Sequence, residues 1–228
     1  MGIVHNEAAN VCLAGRLLFD EKSWYTEVCA AHRLQTAIKH AVNQPQITKL
    51  LASARRIVLQ FKHSALAMEA LLKKQQVPSD KPKLPKRLVQ DCATRWNSTY
   101  YMLERLVSLR WEVGAVLSES GGDSSLDLSP DQWKLAEMLI PVLRDLEETT
   151  RELSGERYAT LSMVLPLMHF LHSELAPRTG EKPAVRSLKT ELQKQLRTRF
   201  ELEEHDMSSL RVLAATLDPR FRHILLER

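Results

Sequence analysis

From Gln46 to Gln76 the apolar residues Ile47, Leu50, Leu51, Ala54, Ile57, Val58, Phe61, Ala65, Met68, Leu71 and Leu72 recur at steps dominated by three and four. That step puts them on one stripe of an α-helix, and a stripe this long must be covered by other elements. The reverse side carries Lys49, Arg55, Arg56, Lys62, Lys73 and Lys74, with Glu69 as the main exception. A solvated charged face is the common explanation of such a run, and phosphates are what else it can meet. Stripes of the same period run through Val28, Ala31, Leu34, Ile38, Ala41 and Val42, through Leu103, Leu106, Val107, Val113, Val116 and Leu117, and through Trp133, Ala136, Leu139, Ile140, Leu143 and Leu146. Two more follow, Leu165, Met168, Leu171, Leu175 and then Val185, Leu188, Leu192, Leu196. The chain is therefore expected to be mainly α. Its 228 residues suffice for one large domain or two small ones, and only 7 glycines and 6% aromatic residues argue against an all-β fold.

Punctuation divides the stripes. Residues 77–90 read as a linker, because Pro78, Pro82 and Pro85 forbid a continuous helix. Lys81, Lys83, Lys86 and Arg87 make that linker a cationic arm, which fits a reader of DNA ends and a soluble interhelical loop equally well. Gly121-Gly122 marks a flexible loop between Ser118 and Ser125. Ser129, Pro130 and Gln132 announce a helix: cap, first helical residue and the reciprocal half of a capping box. Pro141 should kink that helix. Asp145, Glu147 and Glu148 read as a solvated turn, and Arg186, Lys189, Lys194, Arg197 and Arg199 as the basic outer face of a later helix.

Immediately after the linker stands Asp91-Cys92-Ala93-Thr94-Arg95-Trp96-Asn97-Ser98-Thr99-Tyr100-Tyr101-Met102-Leu103. Thr94 can cap a helix, which places Arg95 and Trp96 in its first turn. A Trp beside an Arg packs, pairs with a cation or stacks on a nucleobase. An outward indole in a cationic neighbourhood is expected here.

At the N-terminus a short apolar start, a polar turn and a small-residue run fit a strand-to-helix junction, with Asn6 as a candidate cap. The chain is expected to begin part-way through an element, as a fragment does. Cys29 and His32 form a C-x-x-H pair on a helix. Sulfur and imidazole one turn apart can bind Zn²⁺, but no second pair stands at a finger-like spacing, so a packed thiol beside a hydrogen-bonded imidazole is the better explanation. His169 and His172 invite the same packing explanation. No metal site and no cofactor are expected.

The formal net charge is +4 and 26% of residues are charged, which permits nucleic-acid binding without demanding it. No apolar run reaches membrane-spanning length, and no charged segment precedes an apolar core as in a secretory signal. Three cysteines suggest reduced thiols inside the cell.

The Asp91–Leu103 stretch resembles the corresponding segment of the hAT superfamily of DNA transposases and their domesticated relatives, including BED-type zinc-finger proteins. The resemblance extends to Ala8-Ala9-Asn10, to the C-x-x-H, to Leu128 with Pro130 and Trp133, to Thr150 with Leu153 and Ser154, to Thr160, Ser162 and Pro166, and to Leu217-Asp218-Pro219-Arg220-Phe221-Arg222. It implies residues 1–43 as a remnant of an RNase H-like α/β core and residues 44–228 as an all-α insertion domain. By the same resemblance, Asn6 occupies the position of an aspartate that holds catalytic metal ions in the family, and Glu7 lies one place on. Two-metal phosphoryl transfer needs anionic oxygens, so an amide there implies lost catalysis. Trp96 corresponds to the residue that stacks at the transposon end, supported by Arg95.

The function implied is that of a nuclear, transposase-derived, DNA-associated protein without transposase activity, of the kind that regulates transcription. Self-association through segments outside this chain is compatible with it. Two alternatives stand beside it: a helical interaction or oligomerisation module with no nucleic-acid role, and a fragment of an active hAT transposase.

Overall fold

The computed structural model describes residues 2–6, 8–76, 84–92, 94–119, 126–155, 160–203 and 209–221. In chain order these form β1 (Gly2–His5), α1 (Ala9–Lys22), β2 (Tyr25–Val28), α2 (Ala30–Val42), α3 (Pro45–His63), α4 (Ala65–Lys74), α5 (Trp96–Ser108), α6 (Arg110–Glu119), α7 (Pro130–Leu153), α8 (Leu161–Glu174), α9 (Pro183–Phe200) and α10 (Leu210–Leu217). The protein is mainly α, with a small parallel sheet at its N-terminus. Two compact units result. One holds Met1–Ala41, Asp145–Arg178 and Ser187–Arg228; the other holds Val42–Arg144 and Thr179–Arg186.

In the first unit β1 and β2 pair in parallel, Gly2 opposite Tyr25 through His5 opposite Val28, with α1 as the crossover. α1 lies close to the strands at Gly15, where a Cβ would stand 3.2 Å from both His5 Nε2 and Thr26 Cγ2. Parallel strands require cover on their faces and cannot stand alone as a pair. The C-terminal helices join this unit for that reason. Arg211 of α10 is buried and reaches Glu201 at 2.9 Å and Glu27 of β2 at 3.4 Å. Arg33 of α2 donates to the carbonyl of Arg199 at 2.9 Å. A cavity of about 170 Å³ lies among Val4, Val28, Val164 and Phe200. α8 and α10 pack together. The Ser162 hydroxyl donates to Asp218 at 2.8 Å, and Arg220 grips the same carboxylate through Nε at 3.0 Å and Nη2 at 2.7 Å. Those Arg220 bonds hold the Asp218 carboxyl well below the usual carboxylate range.

In the second unit α3 buries Ile47, Leu50, Leu51, Ala54, Ile57, Val58 and Phe61, the first seven residues of the expected stripe. The stripe does not continue as one helix. Ser64 leaves the helical region at φ −113°, ψ 105°, and its Oγ accepts from the Ala67 N–H at 3.1 Å, so it ends α3 and caps α4. A second break falls at Leu109, which is buried between α5 and α6. The capping box of α7 forms as expected: Gln132 N–H donates to Ser129 Oγ at 3.3 Å, and Ser129 N–H to Gln132 Oε1 at 3.0 Å. α7 continues through Pro141, and all six residues of its expected stripe are buried.

Other expectations are corrected. Tyr25–Val28 is a strand, so Val28 belongs to no helical stripe, and Asp20-Glu21-Lys22 form the last turn of α1. Lys189 is buried, with Nζ 3.4 Å from the Ala176 carbonyl, and is not part of an outer basic face. Glu147 is buried too, not solvated. The Gly121-Gly122 loop lies outside the described residues, as do Tyr158, Ala159, Met207 and Arg222.

Candidate nucleic-acid interface

Residues 84–92 belong to no helix, and side chains of Gln75 and of α5 hold the backbone at Lys86 and Arg87. The Gln75 amide takes both backbone groups of Lys86: Nε2 donates to its carbonyl at 2.9 Å and Oε1 accepts from its N–H at 2.7 Å. Arg105 Nη1 donates to the Arg87 carbonyl at 2.7 Å. Leu88 is buried between these ties and Asp91. Lys86 and Arg87 themselves are exposed. A segment whose backbone is fixed in this way presents its two cations without free rotation of the chain that bears them.

Asp91 is the next fixed point. Its side chain is only 3% exposed, and Arg55 of α3 meets it with Nε 3.0 Å from both oxygens and Nη2 2.6 Å from Oδ2. The Thr99 hydroxyl donates to Oδ2 at 3.0 Å and the Gln90 amide to Oδ1 at 3.0 Å. Burial works against ionisation here, yet Arg55, Thr99 and Gln90 together leave the carboxyl below its ordinary pKa.

The turn that follows bonds to itself. Arg95 N–H donates to the Cys92 carbonyl at 3.0 Å. Ser98 Oγ accepts from Cys92 N–H at 2.7 Å and lies 3.0 Å from the Cys92 carbonyl and 2.6 Å from that of Arg95. Thr94 is not the cap: the helix starts at Trp96 and Arg95 occupies the cap position without a side-chain bond. Ser98, one turn inside, satisfies the entering backbone by reaching backward, as the second half of a capping box does. Thr94 Oγ1 stands 3.1 Å from Cys92 Sγ, and chiefly through that contact the exposed Cys92 thiol has a lowered pKa.

Trp96 does not face outward. It is 6% exposed, and its Nε1 is buried with no hydrogen-bond partner among the described residues. An indole so placed is an anchor for the start of α5 and offers no face to a base. Arg95 beside it is exposed. Of the residues expected to touch DNA, the structure keeps Lys86, Arg87 and Arg95 at the surface on one tethered stretch and removes Trp96 to the core. Lys81 and Lys83 lie outside the described residues.

The remaining candidates lie in the other unit. Asn6 follows β1, and its Oδ1 accepts from the Ala8 N–H at 3.0 Å. That bond closes a turn before the helix; the cap position itself belongs to Ala8. Glu7 lies outside the described residues. Cys29 N–H donates to the His5 carbonyl at 2.7 Å, its own carbonyl accepts from Arg33 N–H at 3.0 Å, and the His32 carbonyl accepts from Thr36 Oγ1 at 3.0 Å. The C-x-x-H thus sits where β2 passes into α2, both residues half-buried. Among the described residues no group of three or more His, Cys, Asp or Glu is placed to hold a metal ion, and no helix is long and apolar enough to cross a membrane.

One aromatic arrangement escaped sequence reasoning. The Arg110 guanidinium lies 5.3 Å from the Trp111 ring centroid and 5.0 Å from that of Trp133, and Arg110 Nη1 pairs with Glu137 at 2.8 Å. Trp111 is 80% exposed. Its position on the outer side of the stripe was the available signal.

Residues 28–142 match the ZBED1 RNase-like helical domain. The chain is 27% identical over 126 residues to human zinc finger BED domain-containing protein 4, a match covering 54% of this chain and 10% of that protein. It is 30% identical over 125 residues to human zinc finger BED domain-containing protein 6, covering 54% of this chain and 12% of the relative. The mouse zinc finger BED domain-containing protein 6 is 30% identical over 124 residues, with the same coverage. The matched stretch thus spans about a tenth of the length of these relatives. With half of its length in that family model and its helical architecture in agreement, the chain belongs to the ZBED1 RNase-like helical domain family, among the hAT-transposase-derived proteins.

Proposed function

We propose that this chain is the helical scaffold of a nuclear, transposase-derived protein that associates with DNA and takes part in regulating transcription without transposase activity. The observation that carries the proposal is the tethering of Lys86, Arg87, Asp91, Cys92 and Arg95. Gln75, Arg105, Arg55 and Ser98 hold them, and Lys86, Arg87 and Arg95 stay exposed. Cations on a fixed stretch match a row of phosphates at a lower entropic cost than cations on a free loop. Such contacts position a protein on DNA and do not read bases.

Absence of catalysis rests on Asn6. Its carboxamide oxygen is uncharged and already accepts a backbone N–H. A magnesium pair for phosphoryl transfer calls for a carboxylate at that position.

The test is titration of the chain into a labelled DNA duplex, followed by anisotropy. The Lys86→Ala, Arg87→Ala, Arg95→Ala triple variant should keep the native melting profile and lose about tenfold or more in affinity at low salt. Affinity equal to that of the unaltered chain overturns the proposal, as does the lack of any binding at low salt.

A further inference from the structure

The second unit contains a cleft of about 720 Å³ among the end of α3, α4 and residues 87–90. Phe61, Met68, Leu72 and Leu88 give it apolar walls, and Lys62, His63 and Arg87 stand at its lining with Glu69 the one acid. Lys62, His63, Glu69 and Arg87 are exposed, and Met68 and Leu72 half-buried. The break at Ser64 creates the space, because a straight helix would carry Met68 and Leu72 onward along the stripe of α3.

We propose that this cleft is a docking groove for an acidic amphipathic helix of a partner protein. Two features select that occupant. The apolar walls match the side chains that a helix presents at i, i+4 and i+7, and a flexible thioether such as Met68 adapts to them. The cationic excess at the lining matches acidic residues flanking such a face and disfavours a basic one. A phosphate backbone shares the second feature and gains nothing from the first. The groove also adjoins the Asp91 turn, since Gln90 of its lining donates to Asp91. The inference goes beyond the DNA-association proposal: Arg87 is common to both, whereas the apolar walls and Lys62 belong to the groove alone.

The experiment uses a labelled synthetic helix of about 15 residues with Leu, Phe and Leu at i, i+4 and i+7 and Glu on the remaining turns. Its binding to the whole chain is followed by anisotropy and by amide shifts. Saturable binding is expected, with the shifts centred on Lys62 to Leu72. Lys62→Glu and Met68→Glu should each weaken it about tenfold or more, with unchanged melting profiles. Replacing every Glu of the probe by Lys should weaken it at least as much. The proposal is overturned by failure of the acidic probe to saturate, by equal binding of the Lys probe, by unchanged affinity in both variants, or by DNA displacing the probe from the Lys62–Leu72 amides. Lys62 and Met68 are not among the proposed DNA contacts and Arg95 does not line the groove, so loss of DNA binding in Arg95→Ala alone leaves this outcome separate.

Discussion

Arg55 and Asp91, 36 residues apart in the chain, meet side-on: the guanidinium Nε is 3.0 Å from both carboxylate oxygens and Nη2 is 2.6 Å from Oδ2. This pair docks the start of the Asp91–Leu103 stretch on α3. With Thr99 on the same carboxylate and Ser98 holding the Cys92–Arg95 turn, the motif is largely a clamp on its own backbone.

Asp91→Asn should therefore destabilise the second unit by about 2 kcal/mol, a figure kept modest because Arg55 is partly solvated. The pH dependence has a definite sign. A carboxyl with a lowered folded-state pKa contributes stability that is fully present above its unfolded value of about 4 and is lost as pH falls through the folded value. Denaturant midpoints measured from neutral pH into acid should fall for the unaltered chain below about pH 4, and less steeply for Asp91→Asn.

Trp96 is predicted to behave as a packing residue. Trp96→Ala should cost about 3–5 kcal/mol by leaving a cavity under α5. Trp96→Phe keeps most of the ring volume and removes a buried N–H without a bond, so it should cost less than about 2 kcal/mol. Thermal or denaturant unfolding of the two variants checks both figures.

Ser64→Ala removes the hydroxyl that accepts the Ala67 N–H. A lost cap costs about 1 kcal/mol. Hydrogen exchange should show faster opening at the start of α4, with α3 protected as before.

Much of the architecture was legible in the sequence. The stripe of α3, the stripe of α7 and its capping box depend on near-neighbour spacing, and all three formed. What escaped depends on distant contacts or on very short elements. The four residues of β2 are too few to show alternation against a helical background, and the sheet's cover comes from helices near the C-terminus. Ser64 breaks a stripe whose spacing continues unbroken across it. The buried state of Lys189 and Glu147 follows from tertiary packing that period cannot report. At the candidate site, the cations Lys86, Arg87 and Arg95 were legible as charge. The inward turn of Trp96 was not, because an Arg-Trp pair at a helix start serves an anchor as well as a stacking platform.

The most direct measurement is the salt dependence of duplex binding for the unaltered chain, Trp96→Phe and Arg95→Ala. With cations touching phosphates and the indole in the core, Trp96→Phe should match the unaltered chain in affinity and slope. Arg95→Ala should reduce the slope of log K against log salt by about 1. A large loss of affinity in a stably folded Trp96→Phe, with Arg95→Ala unaffected, contradicts the account.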